Sequence, residues 1–316
     1  MSGGGVALLV GAPWGWAIAS VWGAIWGSFF NVAIYRIGRV ADEEQRFWEA
    51  SSESGANGKW LDEERTHWRW VGKALASLTR PPRSACPACG ALIRARDNVP
   101  LLSWLLLRGR CRDCHARIAI AYPAVELGAI ALAAVVYLRF VALAPAPPLV
   151  AAGRFFVYFG FAGVLLVLSA IDLRHHLLPD AITVPATLGF FVAGRLLPDV
   201  NLLDATIGAL GGWCTVTLLD LAWRLVRGRN ALGGGDAKLL ALVGALLGWR
   251  ALPWTFFGAG ILGALVTIPV LVLRRRKQVD NTPLGQTAIP FGPFLASAAV
   301  LYLFAGRAVE EYLFAG

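Results

Sequence analysis

Long apolar runs recur along this chain, and few folds accommodate them. A helix needs roughly 20 apolar residues to cross the hydrocarbon of a bilayer, because each residue rises only about 1.5 Å. Eight candidate runs are present, over about 14–36, 119–143, 154–173, 181–197, 203–226, 237–249, 252–273 and 287–305. The sixth is short and suits a tilted or partly re-entrant segment. Only 16% of the 316 residues are charged and 57% are hydrophobic, whereas soluble domains carry about a quarter charged residues. The fold class that follows is an all-α polytopic membrane protein of about eight transmembrane helices. The lipid bilayer is its first partner.

The net charge is +9. In a soluble protein that excess points to nucleic acid. Here the basic residues cluster at the ends of apolar runs, which excludes nucleic acid as a partner and sets orientation instead. Arg36 and Arg39 follow the first run, Arg174 the third, Arg224, Arg227 and Arg229 the fifth, and Arg274, Arg275, Arg276 and Lys277 the seventh. With eight spans all four clusters fall on one face, which the positive-inside rule makes cytoplasmic. Many of the 13 Trp sit near run ends, as in an interfacial aromatic belt, although any single one serves equally as core. The N-terminus has no basic n-region and no small-residue cleavage site, so the first run is expected to be a retained span.

Three regions follow: residues 1–37 as the first span, 38–118 as a cytoplasmic zinc-ribbon-like domain, and 119–316 as a seven-span membrane domain. The polar region opens with the charge mixture Ala41 to Arg46 and passes through a Ser- and Gly-rich stretch at 51–58, read as a flexible or partly helical insertion. It ends in two Cys-x-x-Cys pairs, Cys86 with Cys89 and Cys111 with Cys114, 21 residues apart. Two such turns present four thiolates that fit one tetrahedral Zn²⁺. The competing reading, disulfides or free thiols, is disfavoured on a cytoplasmic face. A closed four-cysteine site has no open coordination position, so it is expected to fold the loop and not to do chemistry. His115 reads as a surface residue, and Cys214 as a small hydrophobe packed within a span.

Carboxylates in or beside spans are costly and tend to be functional. Asp172 closes the third run, and Asp236 opens the sixth after three glycines, Gly233 to Gly235. The topology returns both to the same depth of the same face. Two adjacent carboxyl groups cannot both ionise easily and share a proton, so one activates a water while the other donates to a carbonyl. The glycines allow the backbone to bend and an extended substrate to approach. The blander readings are an interfacial acid at Asp172 and, at Asp236, an N-cap partnered by Lys238. Asp180, just after Pro179, reads as a capping residue. His175 and His176 read as solvated, and Asp204 and Asp220 as isolated acids. The glycines at 208, 211, 212, 244 and 248 suit close helix packing in lipid.

Taken in order, these pieces resemble the type IV prepilin peptidases, bifunctional leader peptidase/N-methyltransferases and intramembrane aspartyl proteases. The resemblance rests on Gly27 to Arg36, Cys86 to Gly90, Arg96 to Cys111, Tyr122 to Glu126, Asp172 with Leu178 to Asp180, Gly233 to Lys238, and Ile289 to Phe294. It implies that Asp172 and Asp236 are the catalytic pair and that Cys86, Cys89, Cys111 and Cys114 bind zinc. It implies a prepilin or pseudopilin substrate of a pilus or type II secretion system at a bacterial inner membrane. The substrate is cut after a Gly that ends a basic leader, and its new amine is methylated with S-adenosylmethionine. Two departures lie in the part associated with methyl transfer: Ala121 stands where an Arg commonly precedes Tyr-Pro, and Ile37-Gly38 where Leu-Pro is common. No glycine-rich nucleotide-type motif marks a methyl-donor site. The competing expectations are an aspartyl peptidase without methyl transfer, a transporter using the acids as a proton relay, and a zinc-containing membrane scaffold.

Overall fold

The computed structural model describes residues 14–53, 60–81, 83–144, 146–198, 201–228, 233–276 and 290–314. Among these the protein is helical without a named strand, and extended backbone pairs only in two isolated bridges, Ala85 with Leu92 and Arg110 with Arg117. The helices are α1 (Gly15–Glu53), α2 (Trp60–Ser77), α3 (Leu102–Leu106), α4 (Ala121–Tyr137), α5 (Pro148–His175), α6 (Asp180–Ala193), α7 (Leu202–Arg227), α8 (Gly234–Leu247), α9 (Ala251–Arg276) and α10 (Gly292–Phe314).

Five segments are long and apolar enough to cross a membrane: Gly15–Ser51, Ala121–Ala142, Pro148–His175, Leu202–Arg227 and Ala251–Val272. Gly292–Gly306 is a shorter apolar helix. Each of the eight apolar runs thus lies on a helix, the last from its described residues onward. The helices at the fourth and sixth runs, α6 and α8, have 14 residues each. That length rises about 21 Å, short of a hydrocarbon core of about 30 Å. Of the basic clusters, Arg229, Lys277 and the side chains of Arg274 to Arg276 lie outside the described residues, as does Ile289.

Two compact units divide the chain, Met1–Val167 and Leu168–Gly316. In the first, α1 packs along α4 through glycines four residues apart. A Cβ at Gly23 would come within 2.6 Å of the Ala129 carbonyl, and one at Gly27 within 2.9 Å of the Glu126 Cα, so the two backbones touch as small-xxx-small pairs allow. Beyond its apolar run α1 continues as a helix to Glu53 and pairs with α2. Lys73 bridges to Glu43 at 2.7 Å, His67 meets Glu44 at 3.1 Å, and the Phe47 and Trp70 rings lie 6.0 Å apart. Arg36 donates to the Ser77 and Leu78 carbonyls at 2.9 and 3.2 Å, satisfying acceptors at the end of α2. The segment read as a flexible or partly helical insertion is helical to Glu53 and again from Trp60, with residues 54–59 outside the described set.

In the second unit α8 is a buried helix. Leu239, Leu240, Leu242, Val243, Ala245 and Leu246 are fully buried against α6, α7, α9 and α10. A helix apolar on every face belongs in such a position. Its approach to α7 is set by glycine: a Cβ at Gly244 would lie 2.1 Å from the Gly208 carbonyl oxygen, and one at Gly208 2.4 Å from that of Gly244. Backbone cannot yield as a side chain does. Gly244→Ala should therefore destabilise the unit by about 1–3 kcal/mol or more, read as a lower thermal midpoint in detergent. Gly189→Ala, where a Cβ meets nothing within 4 Å, should leave the midpoint unchanged.

Candidate active site

Asp172 occupies the last turn of α5, where its neighbour Ile171 is fully buried and turns the helix face inward. Asp236 lies in the first turn of α8. They are 5% and 9% exposed, and they are the only acidic or basic side chains among the buried polar residues described. Burying one carboxylate is expensive, and burying two together is more so. The two residues, 64 positions apart in the chain, both lie in the unit Leu168–Gly316, at the end of α5 and the start of α8.

A third segment reaches Asp172. The Gly292 N–H donates to Asp172 Oδ2 at 3.0 Å, and Gly292 opens α10. The carboxylate thus sits against a helix N-terminus, where unpaired N–H groups favour an anion. A Cβ at Gly292 would stand 2.6 Å from that oxygen. The glycines before Asp236 are not equivalent: a Cβ at Gly235 would press on Leu178 at 2.9 Å, while Gly234 faces open space.

Two expected roles are corrected. Asp180 is the first residue of α6, after the N-cap Pro179, and its carboxylate takes Lys238 Nζ at 2.5 and 2.6 Å. Lys238 therefore clamps α6 to α8 and does not partner Asp236. Cys214 is exposed on α7 instead of packed inside. Of the remaining acids, Asp204 accepts from Trp249 Nε1 at 3.1 Å and Asp220 pairs with Arg224 at 3.1 Å. His176, in the left-handed region at φ +53, ends α5 by donating its N–H to the Asp172 carbonyl at 2.9 Å.

The four cysteines form a second constellation, in the first unit. Their sulfur atoms all lie within 4.8 Å of one another, with Cys86 and Cys114 at 3.8 Å. A tetrahedral ion with Zn–S of about 2.3 Å places its ligands about 3.8 Å apart, so this set fits a metal ion. Both turns are built alike. Cys86 N–H donates to the Ala91 carbonyl at 2.9 Å and Cys111 N–H to that of Ala116 at 2.8 Å. Gly90 at φ +73 and His115 at φ +58 occupy matching places, which makes His115 a turn residue and not a ligand. N–H groups of Cys89 and Ala88 draw the Cys86 thiol down to about 7. At Cys89 the Ala91 N–H pulls the same way, but the Cys114, Cys86 and Cys111 thiols and burial outweigh it and push the group up to about 12. Arg112 grips Asp97 with two bonds, at 2.8 and 2.5 Å, and holds its carboxyl below the usual range.

Residues 21–140 match the bacterial peptidase A24 N-terminal domain and residues 159–268 the type IV leader peptidase family. A prepilin leader peptidase/N-methyltransferase of Aeromonas hydrophila is 37% identical over 303 residues, 96% of this chain and 95% of the relative. The chain belongs to the type IV leader peptidase family. Relatives of the same name from Burkholderia pseudomallei strain K96243 and Pseudomonas aeruginosa are 36% and 35% identical, over 92% and 93% of this chain and 85% and 92% of their own lengths. No solved structure matches the chain.

Both buried aspartates fall inside the leader peptidase match and all four cysteines inside the N-terminal one. Gly292 lies past the peptidase match, and its contact with Asp172 spans 120 positions. Gly292 lies within the stretch Ile289 to Phe294 that carries part of the resemblance, but nothing in that stretch points to a contact with Asp172. Gly292→Ala should displace the Asp172 carboxylate. Misplacing a reacting group by about 1 Å is worth about 10²-fold in rate, so peptidase turnover should fall on that scale, as read by the rate of leader loss from a prepilin.

Proposed function

We propose that this chain removes the leader from type IV prepilins or pseudopilins, cutting after the Gly that ends a basic leader, and then methylates the new N-terminal amine. The observation that carries the reading is the buried pair Asp172 and Asp236 at the meeting of α5, α8 and α10 in a leader peptidase. The named activities of relatives that span the whole chain support it.

One carboxyl of the pair holds the shared proton and the other is ionised. The ionised group takes a proton from a water as the water oxygen attacks the carbonyl carbon after Gly. The protonated group gives its proton to the carbonyl oxygen. Collapse of the tetrahedral species breaks the C–N bond, and a proton passes to the leaving amine. The substrate's apolar helix stays in the bilayer, so an acid pair at the membrane surface meets the scissile bond without drawing that helix into water. We place this surface on the cytoplasmic side of a bacterial inner membrane, following the basic residues Arg36, Arg39, Arg174, Arg224 and Arg227.

Cys86, Cys89, Cys111 and Cys114 would hold Zn²⁺ with a structural role. S-adenosylmethionine would supply the activated methyl group. The described residues contain no named strand and so no strand and glycine-loop cradle for a nucleotide.

The test is the purified full-length protein with a prepilin whose basic leader ends in Gly before an apolar helix, analysed by intact mass. A product starting directly after Gly and carrying one added methyl group is expected. An untouched prepilin overturns the peptidase reading, and a cut but unmethylated product overturns the methyl-transfer half alone.

A further inference from the structure

The loop between the two cysteine pairs carries a helix of inverted polarity. α3 buries its one hydroxyl: Ser103 is buried, accepts from the Val99 N–H at 2.9 Å and donates to the Arg96 carbonyl at 3.1 Å. Its leucines face outward. Leu102 and Leu105 are exposed and Leu106 is 81% exposed, and positions 102, 105 and 106 share one helical face. A short helix in a water-facing loop is ordinarily arranged the other way round.

The pose is fixed and not a fraying end. Leu101 at φ +59 and Arg108 at φ +51 bracket the helix, in a region that residues other than glycine seldom occupy. The Leu101 N–H donates to Glu126 Oε2 at 2.8 Å. Ile118 N–H donates to the Gly109 carbonyl at 2.8 Å, and Trp104 Nε1 to the Ile118 carbonyl at 3.4 Å. These bonds tie both ends of α3 to the entry of α4, whose apolar segment Ala121–Ala142 is long enough to cross a membrane. Ile120, on the threshold of that segment, is exposed as well.

The surroundings are cationic. Residues 80–117 hold eight arginines against two aspartates. Asp97 is paired with Arg112 and Asp113 with Arg94. Arg96, Arg108, Arg110 and Arg117 are exposed and form no ion pair among the described residues. Exposed leucines in a loop with a surplus of exposed guanidinium groups, tied to the entry of a helix long enough to cross a membrane, match the boundary between phosphate headgroups and acyl chains. The same surplus repels a basic peptide.

We propose that α3 and the arginines around it are a docking surface for an anionic bilayer. Leu102, Leu105 and Leu106 enter the headgroup–acyl boundary, and Arg96, Arg108, Arg110 and Arg117 pair with lipid phosphates. The cysteine unit is thereby held down on the membrane at a second point besides its covalent connections.

The test replaces Leu106 with p-benzoylphenylalanine in the full-length protein, in nanodiscs of phosphatidylcholine with or without phosphatidylglycerol. Irradiation is followed by intact mass. The same probe at Leu218, exposed on the membrane-crossing helix α7, is the positive control. A lipid adduct at position 106 is expected, several-fold more abundant with phosphatidylglycerol, and Arg108→Gln with Arg110→Gln should remove that gain. Equal yield in both lipids overturns the anionic preference. An adduct to polypeptide overturns the proposal in favour of a protein partner, and no adduct at 106 while Leu218 yields one overturns it outright.

Discussion

Asp172→Asn and Asp236→Asn should each abolish leader removal, with membrane insertion intact. General acid–base partners contribute about 10²–10⁴-fold each, so each variant should lose at least about two orders of magnitude in rate. Asn keeps an oxygen at position 172 for the Gly292 N–H, which preserves the local fold. It also leaves one buried ionisable carboxyl where two lay together, so thermal stability should hold or rise. That separates lost chemistry from lost structure. The pair works as a unit, so the double variant should lose no more than either single one. Asp180→Asn is the contrast: that carboxylate is committed to Lys238, and its loss should leave most of the activity. The measurement is the rate of leader loss from a prepilin, together with the melting midpoint of each variant. Activity within tenfold of wild type in Asp172→Asn or Asp236→Asn would remove the pair from the mechanism.

The apolar runs were legible because a bilayer enforces length and composition on every crossing segment. The four cysteines were legible because a metal dictates short fixed spacings. What the sequence hid follows from long-range geometry. The charge mixture at 41–46 reads as the start of a flexible or partly helical insertion, and nothing in it shows that Glu43 and Glu44 are met by Lys73 and His67 from a helix that starts at Trp60. Lys238 follows Asp236 by two residues and invites pairing with it. Two residues turn a helix by about 200°, which sends Lys238 away from Asp236 and onto Asp180. The length of α8 was ambiguous for a physical reason too. A helix buried on all sides by protein has no need to match the bilayer, so an apolar run of 14 residues carries no register against lipid. Gly23 and Gly27 stand at small-xxx-small spacing, but that spacing does not name α4 as the backbone they meet.

With Zn²⁺ held by the four thiolates as proposed, Cys86→Ser or Cys114→Ser should abolish metal binding and open the segment between residues 83 and 118. Across that segment no hydrophobic side chain is buried among the described residues, and besides short helical turns its extended backbone pairs only in two isolated bridges. A region so poor in core has little besides a metal to hold it. Structural Zn²⁺ contributes about 10–16 kcal/mol of apparent binding energy in small folds of this kind, far more than the other contacts available there. The Arg112 pair with Asp97 is exposed and screened, and so cannot substitute for it. Metal content by elemental mass spectrometry should fall to background, and limited proteolysis should cut within 83–118 where wild type resists. Both aspartates belong to the other compact unit, Leu168–Gly316, so leader removal should survive while methylation of the product is lost. Cys214→Ser, exposed on α7 and remote in sequence from both pairs, should change none of these readouts. A Cys86→Ser protein that keeps its full metal complement and its protease resistance would show that the fold of this loop rests on something other than the four thiolates.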